Sequence, residues 1–511
     1  MAADLIVGAD FGTSGVKVAL VRQDMEVRHH AFAPYPLSLP GPDMAEQNPS
    51  DWWAAFALAL QTLKQEAGDL TGRIAAISIC AQFCGVVPVD GGGEPLRPAL
   101  IWLDKRAAPQ ARKLAGGFPT VVGYNLAKAA RWFVIANGAP SKNGMDPPCK
   151  MIWLRDCEPE TWRRTHHLLD VKDWLVARAT GVIMTTGDSA NMTWMMDSRA
   201  GRSGWSPALQ RLVGIPPEML APIIDGGSVA GTLLPSAARE LGLDPGTPVM
   251  AGTNDVTAAA LGSGAVGDGQ LHVSVGQSSW VGCFHSRRII SPTASFATID
   301  SGLSHRPLLI ATQESAGSAL DWIDGITGAV GDVAGEPTAH DPFFIPWLAG
   351  ERVPMDDERM RASFTGLSLM HDGEALRRAV IEGVAFNTRW AFDKVARKLG
   401  LPSDRQPLPL VGGGALNPHL VQTLANVLDR PIRLGRNRLA GVSGAAAIGA
   451  AHAGWYKDVW TAAGAIAPGE GHLVEPQPVG VELEAARYRR LESLRPHLIR
   501  HYQKFGSAGV P

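Results

Sequence analysis

The sequence predicts an α/β protein built of two related halves, and three observations carry the prediction. An apolar strand, a turn of small residues and a second strand open the chain; the same grammar returns near residue 271; and strands alternate with helices in both halves. The length of 511 residues exceeds what one hydrophobic core ordinarily serves, and a chain 45% hydrophobic and 19% charged is globular rather than disordered.

The first strand runs from Leu5 into Asp10, turns through Phe11-Gly12-Thr13-Ser14-Gly15 and returns as Val16–Val21, a β-hairpin with an acid at its bend. Ser50 is the expected N-cap of a helix whose Trp52, Trp53, Phe56, Leu60 and Leu63 fall at helical spacing, and Ile74–Cys80 follows as a buried strand. Leu243-Asp-Pro-Gly-Thr-Pro248 is the densest turn cluster near mid-chain and divides the chain at Thr247 into domains 1–247 and 248–511. In the second domain, Val249–Asp255 leads into a helix over Val256–Leu261; Leu271–Val275, Gly276-Gln277-Ser278-Ser279 and Trp280–Phe284 then repeat the hairpin. A helix over Glu374–Leu399, a strand Pro409–Val411 running into three glycines, a helix over His419–Val427 and a small-residue helix near 441–453 complete the pattern.

Charge and cysteine usage exclude several classes. Lys plus Arg total 47 against 49 for Asp plus Glu, so neither a basic field for nucleic acid nor an acidic tail is present. Cys80, Cys84, Cys149, Cys157 and Cys283 form no paired C-x-x-C elements and read as reduced, mostly buried thiols rather than a disulfide scaffold or zinc site. The first apolar run is short and preceded by Asp4, unlike a secretory signal, and the longest uncharged stretch, Ala440–Trp455, is too short and too weakly hydrophobic to span a bilayer. The expectation is a cytoplasmic protein without membrane or nucleic-acid partners.

Absent or short side chains at Gly12, Thr13, Ser14 and Gly15 let an anion approach backbone N–H groups, and Lys17 could add charge; an ordinary tight hairpin explains the same residues. Asp10 shifts the balance, because an acid ending an apolar strand beside a phosphate turn is unfavourable without a cation, and magnesium on nucleotide phosphates would supply one. Gly276, Gln277, Ser278 and Ser279 repeat the turn, which implies a nucleotide held between the two halves. No G-x-x-x-x-G-K-[ST] element occurs, and Gly262-Ser-Gly264-Ala-Val-Gly267 follows a helix and precedes a strand, the reverse of the dinucleotide context.

Asp255, after Gly252-Thr253-Asn254, could accept the proton of a hydroxyl attacking a γ-phosphoryl group or cap the helix that follows, and the two roles are compatible. Gly412, Gly413 and Gly414, with Ala415 and Asn417, suit the flat approach of an adenine or ribose and equally a plain strand-to-helix turn. Trp102 beside Leu103 and Asp104 could present a ring and a carboxylate to a polyol. The pairs His29-His30 and His166-His167 cannot share one face as metal ligands and read as surface residues, while Met192, Met195 and Met196 around Trp194 read as packing.

Further segments follow in order: Glu46-Gln47-Asn48-Pro49 before Trp52-Trp53, Leu100-Ile-Trp102-Leu-Asp104-Lys-Arg106, Pro147-Pro-Cys-Lys150-Met-Ile-Trp153-Leu-Arg-Asp156, Pro346-Trp-Leu-Ala-Gly350-Glu351-Arg352, and Gly366-Leu367 with Leu376, Ala379 and Glu382-Gly383. Together with the two hairpins they make the chain resemble the FGGY carbohydrate kinases, most closely the xylulokinase-like branch, over essentially its whole length. The resemblance implies two actin-like, ribonuclease-H-like domains closing around ATP and a sugar, with transfer of the γ-phosphoryl group to a sugar hydroxyl.

Position by position, it implies Asp255 as catalytic base with Asn254 beside it at the sugar, and Asp10 as the carboxylate that orients Mg2+. Gly12, Thr13, Ser14 and Lys17 match the first phosphate contact, and Gly276, Gln277, Ser278 and Ser279 the second. Gly412, Gly413, Gly414, Ala415 and Asn417, with Gly317 and Asp321, match the adenosine region; Gln82, Phe83, Cys84, Trp102 and Asp104 fall where sugar contacts belong.

Departures bear on the substrate. The usual Gln-Met-His-Gly is Gln82-Phe83-Cys84-Gly85 and the usual Trp-Asn-Asp is Trp102-Leu103-Asp104, so the pocket reads as more apolar than a xylulose pocket should be. Gln277 replaces the usual Thr and Ser279 the usual Gly, while Cys157 and Ala375 occupy the polar sites of the two signatures. The expected acceptor is a ketopentose, with a deoxysugar, ribulose, a tetritol or glycerol as alternatives. A catalytically silent nucleotide-binding regulator is disfavoured by retention of Asp10 and Asp255. The family often forms dimers, which leaves a homodimer open.

Overall fold

A computed structural model describes residues 3–505 apart from 122, 292–293, 329–332, 334, 402–403, 436–438 and 467–471. Its first half provides β1 (Leu5–Phe11), β2 (Gly15–Arg22), β3 (Val27–Pro34), α1 (Pro49–Ala67), β4 (Ile74–Ala81), α2 (Pro147–Cys157), α3 (Val171–Thr180), α4 (Gly187–Met192), β5 (Val229–Thr232), β6 (Pro248–Met250), β7 (Thr253–Asn254) and α5 (Asp255–Gly262). The second provides β8 (His272–Val275), β9 (Ser279–Phe284), β10 (Ile290–Ser291), β11 (Phe296–Asp300), β12 (Pro307–Gln313), α6 (Gly317–Thr327), α7 (Gly373–Leu399), β13 (Leu408–Val411), α8 (Pro418–Leu428), β14 (Ile432–Leu434), α9 (Ala440–His452), β15 (His472–Val474) and α10 (Pro478–Phe505).

One sheet runs β5-β6-β4-β1-β2-β3, with β7 also paired to β4; the other runs β10-β11-β12-β9-β8-β13-β14-β15. In the first, β1, β2 and β3 are successive antiparallel neighbours, while β4 and then β6 lie parallel on the other side of β1. Strands β8, β9, β12, β13 and β14 repeat each of these relations, so the two halves share one topology. The division expected at Thr247 falls before the first sheet is complete, since β6 and β7 lie beyond it and pair with β4. The turn cluster at 243–248 marks a chain reversal leading into β6, which is a local event and not the end of a sheet.

Strand periodicity settles which side chains each half shows. Leu5, Val7, Ala9 and Phe11 of β1 share a core with Trp52, Phe56, Leu60 and Leu63 of α1. Ile6, on the opposite face, joins Val256 and Leu261 of α5, Val442 and Ile448 of α9, and Phe284 and Leu308 of the second half. A strand covered on both faces reads as a continuous apolar run, which is what Leu5–Ala9 is. Asp10 has the parity of Ile6 and is therefore delivered to the α9 side. A separate core with Val273, Val275, Phe344, Phe386 and Leu424 belongs to the second half.

Helices α5 and α9 cross within this seam, and their small residues make the crossing close: a Cβ on Gly444 would run into the backbone oxygen of Ala258, and one on Gly262 into that of Ala440. Helix α1 starts earlier than expected. Asn48 rather than Ser50 is its cap, accepting from Ser50 N at 3.2 Å, because Pro49 lacks the N–H that a first helical position would leave unsatisfied. All five cysteines are free thiols, with only Cys157 exposed. Among the described residues no helix is long and apolar enough to cross a membrane.

Candidate active site

Strand β1 ends at Asp10, whose register partners are Lys17 on β2 and Cys80 on β4. Burial pushes the Asp10 carboxyl above the usual carboxylate range, against the opposing pull of Lys17 and the Cys80 thiol. The start of α9 abuts it: a Cβ on Gly441 would lie 2.5 Å from Asp10 Oδ2, and Cys80 Sγ donates to Gly441 O at 3.5 Å. The positive end of a helix thus meets the carboxylate.

The second carboxylate comes from α5. Pairing of Asn254 with Ala81 sets Asp255 alongside Gln82 where the two parallel strands end. The cap of α5 is Asn254, whose Oδ1 accepts from Thr257 N at 2.8 Å, so Asp255 is the first helical residue and its side chain is left out of the cap. Asp255 Oδ1 is sealed from solvent and has no hydrogen-bond partner among the described residues. Burial, and then the negative charge of Asp10, hold its carboxyl well above the usual range.

Asn254 is anchored from behind by Asp188 of α4, whose Oδ2 accepts from Asn254 N at 2.6 Å. Asn254 Nδ2 and Gln82 Oε1 are also buried without partners, and a cluster of unpaired polar atoms costs free energy until a ligand meets them.

Three side chains secure the first hairpin. Trp102 Nε1 donates to Thr13 Oγ1 at 2.9 Å, Gln47 Nε2 donates to Thr13 O at 2.7 Å, and the Tyr35 hydroxyl donates to Gly12 O. Ser14 and Lys17 remain exposed beside them. Gln82 is tied to the same network, its Nε2 donating to Gln47 Oε1 at 2.7 Å. Phe83 packs against the seam core, and Cys84 is buried with a left-handed φ of 63°.

Residues expected on the nucleotide side, far apart in sequence, converge on Val275 and Gly276. Gly317 N donates to Gly276 O at 2.9 Å, and Cβ atoms on Gly412 or Gly414 would lie 2.5 Å from Val275 O or Val275 Cγ1. Next to them is a cavity of about 240 Å³ lined by Gly412, Ala415, Arg433, Ser263 and Ala440, the residue before Gly441.

Five residues expected to make contacts are engaged by partners within the fold. Asp104 is fully buried and its carboxylate is engaged by Arg106 Nε, at 2.8 Å to Oδ2, and by Ala45 N. Trp102 commits its N–H to Thr13. Ser279 is buried and its Oγ donates to Gln313 Oε1 at 3.2 Å, so Gly276, Gln277 and Ser278 form the accessible part of the second turn. Asn417 Oδ1 caps α8 by accepting from Leu420 N at 3.0 Å. Asp321 accepts from Gln277 Nε2 at 2.9 Å and belongs to the second turn, outside the lining of the cavity. In each case a nearby donor or acceptor that sequence order does not reveal has claimed the side chain.

Pattern reading passed over Tyr35, Asp188, Gly441 and the contacts of Lys150. Only Lys150 carried a signal, as part of the Pro147–Asp156 segment. Its buried ammonium, lowered by burial to about 8, donates to Cys84 O at 2.9 Å and Ile101 O at 2.6 Å.

Comparison with known proteins identifies the family. The N-terminal domain of the FGGY family of carbohydrate kinases matches residues 5–262 and its C-terminal domain residues 273–453. The xylulose kinase of Escherichia coli (strain K12) is 30% identical over 433 residues, 83% of this chain and 84% of its own. That of Streptomyces rubiginosus is 33% identical over 447 residues, 87% of each. A xyloylose kinase from Brucella ovis superposes with a TM-score of 0.83 at 27% identity, covering 97% of this chain and 99% of its own. The glycerol kinase of Plasmodium falciparum with ADP shares the fold, with a TM-score of 0.81 at 16% identity over 96% and 98% of the two chains. The two halves are actin-like ATPase domains, and the chain belongs to the FGGY family of carbohydrate kinases.

Proposed function

We propose that the protein transfers the γ-phosphoryl group of ATP to a hydroxyl of a ketopentose, with Asp255 as general base. ATP use follows from the family; the acceptor and the role of Asp255 are our reading. The observation that carries it is Asp255: a carboxylate at the start of a seam helix, one oxygen unpartnered, beside the unpaired Asn254 Nδ2 and Gln82 Oε1. A carboxyl raised above its usual range is a better proton acceptor near neutral pH than an ordinary one.

In the reaction, the acceptor O–H gives its proton to Asp255 while the oxygen attacks phosphorus in line and the bond to ADP breaks. The turns at Gly12–Ser14 and Gly276–Ser278 hold phosphate oxygens, Gly412 and Ala415 line the space for adenosine, and closure of the halves keeps water from competing as nucleophile. Asp10 suits Mg2+, which takes one or two carboxylates together with phosphate oxygens and water; the described residues hold no group of three or more acidic, His or Cys side chains fit for a fully protein-bound metal. When bound, the ion neutralises charge on the phosphates.

The relatives named xylulose kinases support a ketopentose. A second reading, a less hydroxylated acceptor such as a deoxysugar or tetritol, is favoured by Phe83, the buried Cys84, and Leu103 packed on the first core. Magnesium-dependent ADP release over D-xylulose, D-ribulose, deoxysugars, tetritols and glycerol, with an acceptor-free background, tests both. Selectivity for D-xylulose supports the first; selectivity for a deoxysugar or tetritol replaces it with the second; no acceptor-dependent release from any of them overturns both.

A further inference from the structure

Lys150 has a role that the transfer chemistry does not explain. It sits in the first turn of α2 with no exposed surface, enters no salt bridge among the described residues, and is felt by Asp104, Asp146 and Asp170 only through the longer-range field. Burying an ammonium against two neutral carbonyls is costly, so the arrangement needs a reason.

The two carbonyls identify it. Cys84 O and Ile101 O belong to Gln82-Phe83-Cys84 and Ile101-Trp102-Leu103, the two segments that wall the proposed acceptor pocket. The first segment needs restraint, because a left-handed backbone at a non-glycine residue such as Cys84 is strained. Its other flank is held too, Gly85 N donating to Asp170 Oδ1 at 2.9 Å. One turn further along α2, Trp153 presents its ring to Arg106 at 5.0 Å, and Arg106 in turn holds Asp104 at the end of the second segment. Helix α2 therefore fastens both walls from behind.

We propose that Lys150 is a positioning residue for acceptor recognition, its ammonium setting the spacing between Gln82–Cys84 and Ile101–Leu103 and so selecting which sugar fits. This rests on the reading above that these segments face the acceptor. Lys150→Met keeps the chain length and removes the donors; the acceptor KM should rise about tenfold or more, while the KM for ATP and acceptor-free ATP hydrolysis stay within about twofold. Asp170→Asn, which weakens the acceptor of Gly85 N together with the cap of α3 and leaves Lys150 in place, should raise the acceptor KM in the same direction. Lys150→Arg, which retains the charge but displaces the donors, should reduce discrimination between the two best acceptors.

An unchanged acceptor KM in folded Lys150→Met, or equal rises in both KM values, overturns the proposal. If Lys150→Met does not fold, the same KM comparison on Asp170→Asn and Lys150→Arg decides it, and unchanged acceptor KM in both overturns it. Wild-type turnover with unaltered variants defeats this inference alone, whereas absence of wild-type turnover on any sugar defeats the reading beneath it.

Discussion

Gly441 of α9 lies so close to Asp10 of β1 that a methyl group on it would stand 2.5 Å from the Asp10 Oδ2 oxygen. Only a residue without a side chain lets the positive end of the helix reach this carboxylate. Gly441→Ala should displace it, lower turnover by about tenfold or more, and raise the magnesium concentration needed for half-maximal rate. A magnesium titration of ADP release reads both, and an unchanged midpoint would remove Asp10 from the metal site.

Asp255 should trade stability for function. Its folded carboxyl is raised above the ordinary aspartate value of 3.8, so the stability it contributes is full below that value and is lost as pH rises through the folded value. Asp255→Asn should therefore melt above wild type at pH 8, with the advantage shrinking at pH 4, while turnover falls about 10²–10⁴-fold and nucleotide binding persists. Melting curves at the two pH values and a nucleotide-binding measurement check it; full turnover in the variant would end its assignment as base.

Helix α5 begins at Asp255 and the start of α9 meets Asp10, so the closeness of their crossing should matter for rate as well as stability. Gly444→Val would force its side chain onto the Ala258 backbone, and overpacking of this kind costs about 1–3 kcal/mol. A lowered urea midpoint with a reduced kcat is expected. A lowered midpoint with wild-type kcat would show that the helix crossing does not position the site.

Far from the site, Arg487 of α10 pairs with Glu382 of α7, its Nη2 donating to Glu382 Oε2 at 2.6 Å, and both are buried. Arg487→Met should cost about 3–5 kcal/mol, since it strands a buried carboxylate. Burial and the charge of Glu382 raise the carboxyl of neighbouring Glu484, so its contribution is lost as pH rises through that raised value. Glu484→Gln should therefore be neutral near pH 4, where the carboxyl is protonated in both states, and increasingly stabilising as pH rises from there through neutrality to about 9. Denaturation against pH compares the two variants.

Restoring polar groups to the acceptor wall should move specificity. Cys84→His with Leu103→Asn is expected to raise kcat/KM for D-xylulose, relative to a deoxysugar, about tenfold. An unchanged ratio would place the selective contacts elsewhere.

Much of this architecture was legible in the sequence. Helix α7 was expected over Glu374–Leu399 and lies at Gly373–Leu399, and the hairpins at Asp10 and Gly276 stand where small residues interrupt apolar runs. These signals are local, since periodicity and turn chemistry act over a few neighbouring residues. The pairing of side chains around the candidate site was not legible: Asn254 took the cap that Asp255 could have held, and Arg106 took the carboxylate of Asp104.

By itself the sequence determined two repeated α/β halves, the acids at their strand ends and the glycine turns beside them, because each is written in side-chain size and spacing along the chain. Only the tertiary structure decided that Gly441 would meet Asp10, that the first sheet would run past Thr247, and that Lys150 would bind the carbonyl of Cys84, 66 residues away. Such pairings depend on how helices and sheets pack, and the free energy that selects them comes from burial shared among residues with no proximity in sequence.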